Sequence, residues 1–155
     1  MNLYLVQHAE AKSKQEDAGR SLTDKGYADI DKTAKLLSSK LRPSINVILH
    51  SGKLRARQTA EVLADYLNPA GGIRAVDGLD PKADPAVWAT QLKSITENVV
   101  LVGHLPHISR LASLLLCGET ERTVVEFRNA GIVNIVRDDQ GDWKVQCIIL
   151  PGICD

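Results

Sequence analysis

Short apolar segments recur along the first two thirds of the chain, and each of them ends in turn-forming residues. They are rich in β-branched side chains and short, which indicates largely buried strands. These predicted strands are residues 2–7, 45–50, 73–76 and 98–103. Two further apolar segments, VNIVRD at 133–138 and WKVQCIIL at 143–150, are separated by the polar sequence DQGD. A short loop that contains a glycine favours an antiparallel hairpin there.

Segments with helical periodicity lie between the predicted strands. Thr23 and Ser51 are suitable cap residues for two of them, and Pro85 suits the first turn of a third. The predicted helices are residues 24–41, 53–67, 85–95 and 106–116. In the first helix, four apolar residues recur at three- and four-residue spacing and are expected to form one buried face. They are Ile30, Ala34, Leu37 and Leu41.

The alternation of strands and helices predicts the fold class. A strand followed by a helix, four times in succession, is typical of a mainly parallel sheet covered on both faces. We therefore expect an α/β fold, a three-layer α/β/α sandwich whose mostly parallel central sheet gains antiparallel strands from the C-terminal hairpin. The sequence has no internal repeat, low-complexity segment or linker, so residues 1–155 are predicted to form a single domain.

Composition narrows the classes of partner. The chain has 19 Lys plus Arg and 19 Asp plus Glu, so no overall field attracts nucleic acid or an anionic membrane. Cys117, Cys147 and Cys154 form no CxxC pair, which fits free thiols in a reducing compartment. The apolar start is too short for a signal peptide, and no apolar run approaches the ~20 residues of a membrane span. We expect a cytoplasmic protein with no nucleic acid or membrane partner.

Three polar residues directly follow predicted strands: His8, Ser51 and His104. Ligands of open α/β sheets bind beyond the carboxyl ends of the strands, so these residues are expected to share one edge. Arg55, in the first turn of the next helix, can reach that edge, whereas Arg57 is expected to be solvated. His104 precedes a helix whose free N–H groups favour an anion. Two histidines and an arginine at one sheet edge indicate a phosphate site.

Four segments resemble the histidine phosphatase superfamily, most closely its small SixA-type phosphohistidine phosphatases. The segments are LVQHAEA, GRSLTDKG, SGKLRARQTAEVLA and VLVGHLPHISRLASLL. Their order and separation match the family over about residues 1–117. The resemblance implies a phosphoglycerate mutase-like fold and phosphatase activity.

The resemblance also implies a role for each matching residue. His8 would be the nucleophile and form a phosphohistidine, Arg55 and His104 would hold the transferring phosphoryl group, and Arg20 would be an outer contact to phosphate or substrate. Phosphoryl transfer spreads negative charge over three oxygens, so it needs an in-line nucleophile and positive donors. His8 must therefore be neutral, whereas a protonated His104 would add a second charge to that of Arg55.

Gln7 departs from the family pattern, which has arginine immediately before the nucleophilic histidine in an arginine-histidine-glycine or arginine-histidine-alanine motif. Glutamine would contact phosphate through neutral hydrogen bonds alone. A hydrogen bond to a charged group is worth about 1.5 to 3 kcal/mol, so the loss of one charged donor predicts a slowing of ~10- to 100-fold. The sequence is therefore consistent with a slowed phosphatase or with a protein that binds phosphorylated ligands without turnover.

The sequence leaves the proton donor and a metal site open. Glu10 and Asp80 are candidates for protonating the leaving group, and solvated surface carboxylates are the alternative for both. A metal site is conceivable from the four histidines. They are His8, His50, His104 and His107. Their spacing fits no familiar ligand pattern, so no metal or other cofactor is expected, and a helical turn should carry His107 out of the site.

Chain length bears on the substrate. Larger relatives such as phosphoglycerate mutases usually insert a helical cover over the site, whereas only about twenty residues separate the third and fourth predicted strands here. An open site would admit a histidine side chain of another protein. We therefore expect a metal-independent phosphatase whose partner is a phosphohistidine protein, with a small phosphate ester as the alternative.

Overall fold

A six-stranded mixed sheet forms the centre of the molecule. The computed structural model describes residues 1–153. Its strands are β1 (Asn2–Gln7), β2 (Val47–His50), β3 (Ile73–Ala75), β4 (Val99–Gly103), β5 (Ile132–Arg137) and β6 (Trp143–Ile149). They lie in the order β3-β2-β4-β1-β5-β6. The first four strands are parallel and the last two are antiparallel additions, which confirms the predicted sheet.

Four helices flank the sheet. They are α1 (Asp24–Leu36), α2 (Leu54–Leu67), α3 (Pro85–Leu92) and α4 (His107–Cys117). The side chains of Thr23 and Asp84 cap α1 and α3 by accepting hydrogen bonds from the backbone N–H groups of Gly26 and Ala86. Gly26 also lets α1 lie close to the loop after β1, because a Cβ at this position would collide with the Glu10 carbonyl oxygen.

Alternating side chains of the strands fill a hydrophobic core on each face of the sheet. One core contains Tyr4 and Val6 of β1, Ile30 of α1 and Leu63 of α2. The other contains Leu3 and Leu5 of β1, Trp88 of α3 and Leu111 of α4. Because successive strand residues point to opposite faces, α1 and α2 cover one face and α3 and α4 cover the other. The predicted three-layer α/β/α sandwich is confirmed.

The first predicted helix differs from expectation near its end. α1 ends at Leu36, and a π-helix follows over Leu37–Leu41, with the Arg42 N–H bonded to the Leu37 carbonyl at 3.2 Å. The wider turn of a π-helix breaks the three- and four-residue spacing of an α-helix. Leu37 is fully buried, whereas 48% of Leu41 is exposed. The prediction that Leu41 shares the buried face was therefore wrong.

Other departures from the predicted elements are small. α3 ends at Leu92 rather than at residue 95, because Lys93 and Ser94 donate to carbonyls three residues earlier and so tighten the chain into a turn.

Cys117 and Cys147 are free thiols, and Cys154 lies outside the described residues. Within residues 1–153, every helix is too short or too polar to cross a bilayer.

Candidate active site

Three neighbouring parallel strands bring the predicted residues to one edge of the sheet. β2, β4 and β1 are adjacent, and Ser51, His104 and His8 directly follow them. Gln7 pairs with Gly103 in register, and the His8 N–H continues the pairing by donating to the Gly103 carbonyl at 3.1 Å. The centroids of the His8 and His104 rings are consequently only 4.9 Å apart.

The His8 ring is held in one tautomer. Its Nδ1 lies 2.7 Å from the Ala9 carbonyl oxygen, which can only accept, so Nδ1 carries the proton. Arg55 Nε donates to Nε2 at 3.3 Å, so Nε2 is unprotonated and its electron pair accepts this hydrogen bond. The His8 carbonyl accepts a hydrogen bond from Asn129 Nδ2 at 2.8 Å, which ties the backbone to the segment before β5. Nε2 is therefore available as a nucleophile.

Arg55 is positioned by the first turns of α2. The Thr59 hydroxyl donates to the Arg55 carbonyl at 2.7 Å and accepts from the Ala9 N–H at 3.0 Å. Thr59 thus connects the helix that carries Arg55 to the loop that follows His8. Arg57 is exposed and pairs with Glu61 at 3.5 Å, a solvated arrangement of the kind expected from the sequence.

Arg20 lies beside Arg55, although 35 residues separate them in sequence. Its backbone has φ 53°, a conformation that costs a non-glycine residue about 1 kcal/mol or more. Its Nε donates to the Lys12 carbonyl at 3.0 Å. The Arg20 charge helps to lower the pKa values of both Arg55 and His8, so the two guanidinium groups sit near the same ring. An anion bound between them would relieve their mutual repulsion.

Ser51 orients His104. The Ser51 hydroxyl lies 2.5 Å from His104 Nε2, and the His104 residue is 2% exposed. The His104 Nδ1 has no hydrogen-bond partner among the described residues. Sequence reasoning placed Ser51 at the sheet edge but gave it no role in the site; Thr59 and Asn129 were missed because nothing in their local sequence marks them.

Burial keeps both site histidines neutral at physiological pH. The pKa of His8 is lowered to about 4, mainly by desolvation, with the Ala9 hydrogen bond opposing the shift and the charges of Arg55 and Arg20 adding to it. Desolvation also lowers the pKa of His104 to about 3, with further contributions from His8, Arg55 and Lys53. The lowered pKa disfavours protonation of His104. A bound phosphoryl group would favour it by adding negative charge.

Gln7 is buried at the end of β1. Its side-chain Oε1 has no hydrogen-bond partner within residues 1–153. Its backbone carbonyl accepts a hydrogen bond from the Ala130 N–H at 3.1 Å. Gln7 lines a cavity of about 770 Å³, which we call the Gln7 groove. The groove is lined by Gln7, Glu10, Lys25, Asp29, Lys32, Glu126, Phe127, Arg128, Asn129, Leu150, Pro151, Gly152 and Ile153.

The two candidate proton donors lie in different surroundings. Glu10 lines the Gln7 groove, and its carboxylate accepts a hydrogen bond from the Thr23 hydroxyl at 2.8 Å. Asp80 lines a separate cavity together with Arg55 and pairs with Lys53 at 3.2 Å. Asp80 is thus the candidate on the side of the site that holds the arginines.

The four histidines do not gather into a metal site. His50 accepts a hydrogen bond from the Gly52 N–H through Nδ1 at 3.1 Å and does not join the pair formed by His8 and His104. His107 is buried at the start of α4, and neither of its ring nitrogens has a partner among the described residues. In the described part of the chain, no three His, Cys, Asp or Glu side chains are grouped to hold a metal ion.

Comparison with known families identifies the superfamily of the chain. The family model for the histidine phosphatase superfamily (branch 1) matches residues 3–80. The chain belongs to the histidine phosphatase superfamily. The matched range contains the first three of the four sequence segments and the residues His8, Arg20 and Arg55.

Relatives within the superfamily cover nearly the whole chain. The phosphohistidine phosphatase SixA of Escherichia coli (strain K12) is 27% identical over 147 residues, which cover 92% of this chain and 89% of SixA. An uncharacterised protein of Picosynechococcus sp. (strain ATCC 27264 / PCC 7002 / PR-6) is 32% identical over 146 residues, which cover 87% of this chain and 84% of that protein. This histidine phosphatase is therefore of the SixA type, and its membership supports phosphatase activity.

Solved structures agree on the fold. The protein histidine phosphatase SixA complexed with tungstate superposes with a TM-score of 0.87 at 26% identity and full coverage of both chains. The α-ribazole phosphatase of Shigella flexneri superposes with a TM-score of 0.78 at 15% identity, covering 97% of this chain and 96% of that one. At 15% identity, the match to the α-ribazole phosphatase is evidence for the fold alone. Both place this histidine phosphatase in a phosphoglycerate mutase-like α/β fold.

Proposed function

We propose that this protein is a phosphohistidine phosphatase that works through a phosphohistidine intermediate on His8. The observation that carries the proposal is the unprotonated Nε2 of His8, which Arg55 Nε approaches within 3.3 Å. An unprotonated nucleophile with a fixed cation beside it meets the main needs of phosphoryl transfer. The similarity to SixA over 92% of the chain supports the same substrate class.

The reaction proceeds in two balanced steps. His8 Nε2 forms a bond to the phosphorus while the bond from phosphorus to the substrate nitrogen breaks, and the leaving imidazole takes up a proton. A water molecule then attacks the phosphoryl group on His8, loses a proton, and releases inorganic phosphate with His8 restored. Arg55 and His104 hold the oxygens of the transferring group, because charge on those oxygens is what the site must stabilise.

Asp80 is our candidate for the proton supplied to the leaving group. It lines the same cavity as Arg20 and Arg55, whereas the Glu10 carboxylate is bonded to Thr23 at the start of α1. A carboxylic acid must lie on the side where the leaving group departs. Replacement of Asp80 by Asn should slow phosphohistidine hydrolysis more than replacement of Glu10 by Gln.

Gln7 supports a second candidate function, the binding of phosphorylated ligands without efficient turnover. Glutamine keeps a polar side chain at the end of β1, but it brings no charge to the transition state. On this alternative, phosphate or a phosphorylated ligand would stabilise the folded protein while hydrolysis would be absent.

Trapping of the phosphoenzyme separates the two candidates. The purified protein is mixed with phosphoramidate and its mass is measured at neutral pH. We expect an acid-labile increase of one phosphoryl group on the peptide that contains His8, together with release of phosphate. His8→Ala should lose the adduct, whereas His50→Ala, the matched change at the histidine that ends β2, should keep it.

The opposite results have distinct meanings. Thermal stabilisation by phosphate without adduct or turnover would favour the binding protein over the enzyme. Turnover that persists in His8→Ala would overturn His8 as the nucleophile.

A further inference from the structure

A second cavity beside the site is strongly cationic. It encloses about 430 Å³ and we call it the cationic cleft. Its lining is Lys14, Arg20, Lys53, Arg55, Asp80, Pro81 and Lys82. Five of these residues carry positive charge and one carries negative charge, in a protein whose total charge is balanced at 19 against 19. Positive charge therefore exceeds negative charge locally, in the cleft next to Arg55.

The charges of the cationic cleft are only partly neutralised. Asp80 pairs with Lys53 at 3.2 Å. Lys14 and Lys82 are exposed, and neither forms a salt bridge with any residue in the range 1–153. Arg20 and Arg55 face the transferring phosphoryl group in the proposed reaction. Lys14 and Lys82, which are exposed and line the cleft, thus remain available to a ligand larger than phosphate.

Neighbouring carboxylates are engaged elsewhere. Asp17 accepts hydrogen bonds from the backbone of Gly19 and Ser21 at 3.0 and 2.9 Å, and so shapes the loop that carries Arg20. Asp84 caps α3 through the Ala86 N–H at 2.9 Å. Both carboxylates thus complete local backbone structure, and among residues 1–153 neither forms a salt bridge with Lys14 or Lys82.

The rim of the site also carries an exposed apolar residue. Leu105 directly follows His104, and 42% of its surface is exposed. The nine residues between β3 and α3 form the short connection on which Asp80 and Lys82 lie, rather than an inserted helical cover. An exposed leucine and free lysines around one phosphate site suit a protein surface better than a small phosphate ester.

We propose, on the basis of the proposed function, that the cationic cleft recognises carboxylates around the phosphohistidine of an acidic substrate protein. Lys14 and Lys82 pair with those carboxylates while Arg55 and His104 hold the phosphoryl group and Arg20 makes an outer contact to it. Cations at the edge of an interface act mainly on encounter and partner choice. The two lysines are accordingly specificity determinants rather than catalytic residues.

Binding of two matched peptides tests the proposal. Each peptide carries a non-hydrolysable phosphohistidine analogue, flanked by four glutamates in one and by four glutamines in the other. We expect the wild-type protein to bind the glutamate peptide about tenfold more tightly, at low salt, and the preference to fall as salt is raised. The double variant Lys14→Glu/Lys82→Glu should lose or invert the preference.

A charge-matched variant controls for the change in net charge. Lys40→Glu/Lys93→Glu alters two exposed lysines outside the cleft and should keep the wild-type preference. Equal binding of both peptides by the wild type, or an unchanged preference in Lys14→Glu/Lys82→Glu, would overturn the proposal. Hydrolysis of phosphoramidate, measured separately, reports on the proposed function, so failure of that function and failure of this inference are distinguishable.

Discussion

The cationic cleft and the Gln7 groove differ in how their charges are arranged. The lining of the Gln7 groove has three basic and three acidic residues, whereas that of the cationic cleft has five and one. In the groove, Lys25 pairs with Asp29 at 2.5 Å and Arg128 with Glu126 at 3.3 Å. Charges in the groove therefore neutralise one another, while those of the cleft remain available for an anion.

This difference bears on the charge around His8. Because Gln7 is uncharged, the fixed positive charge there comes from the side of Arg55 and Arg20. Their charges both lower the pKa of His8, so they stand close to the ring that would receive the phosphoryl group. We infer that stabilisation of the transferring group is one-sided and depends heavily on Arg55.

Removal of Arg55 should change the activity more than any other substitution considered for the site. Arg55→Ala should lower kcat/KM for phosphoramidate about 10³-fold, the scale on which arginines act in phosphoryl transfer. Arg57→Ala, two residues along the same helix and paired with Glu61, should stay within about twofold, as is usual for an exposed ion pair. A loss below about tenfold in Arg55→Ala would contradict the one-sided arrangement.

A positive charge introduced at position 7 should raise the rate instead of lowering it. Gln7→Arg is expected to raise kcat by ~10- to 100-fold, because one charged hydrogen bond contributes about 1.5 to 3 kcal/mol. Affinity for phosphate should rise less than kcat if the charge acts in the transition state. Gln7→Met, which keeps the length without polarity, serves as the control, and an unchanged kcat in Gln7→Arg would show that Gln7 does not limit the rate.

Titration of the histidines checks the electrostatics of the ligand-free site. Because the pKa of His8 is lowered to about 4, about nine tenths of His8 should be neutral at pH 5, where more than nine tenths of an ordinary histidine is protonated. NMR of the imidazole C–H signals, assigned with His8→Ala, measures this. A midpoint near pH 6.5 would contradict the burial of the ring.

The same shifts link stability to pH. An unfolded histidine has a pKa of about 6.5. At pH values between about 6.5 and the lowered pKa values of the folded protein, the unfolded state therefore binds more protons than the folded state. The free energy of unfolding should therefore fall as pH falls through this window, down to the folded values of about 4 and 3. Urea denaturation at pH 7 and pH 5 measures this decrease in the free energy of unfolding. A stable His104→Gln variant should show a smaller decrease, because it lacks one of the two histidines.

Loss of the hydrogen bond that orients His104 should have the smallest effect. Ser51→Ala removes the partner of Nε2 at 2.5 Å, and a typical net contribution of about 1 kcal/mol predicts a fall in kcat of about fivefold. Ser51→Thr retains a hydroxyl and should recover most of the rate. If Ser51→Ala matched wild type, the ring would be held by packing alone.

Local patterns were sufficient to predict most elements of the fold. The hydrophobic segments correspond to all six strands, and Thr23 caps α1 as predicted, because both patterns depend on neighbours in sequence. Ser51 does not cap α2, whose N-cap residue is Lys53. Leu41 was misplaced because a π-helix interrupts the periodicity without a local signal. The roles of His8, Arg55 and His104 remain predictions, although the structure brings these three residues together.

The sequence by itself determined the alternating strands and helices, the strand-end positions of His8 and His104, and the family to which the chain belongs. Only the tertiary structure decided which distant residues meet: Ser51 with His104 across 53 residues, and Asn129 with His8 across 121. It also decided that burial makes both histidines neutral and that basic residues from three separate segments line one cleft. The physical reason is that hydrogen bonding to distant residues, desolvation and summed charge depend on how the sheet orders its strands, which local periodicity does not encode.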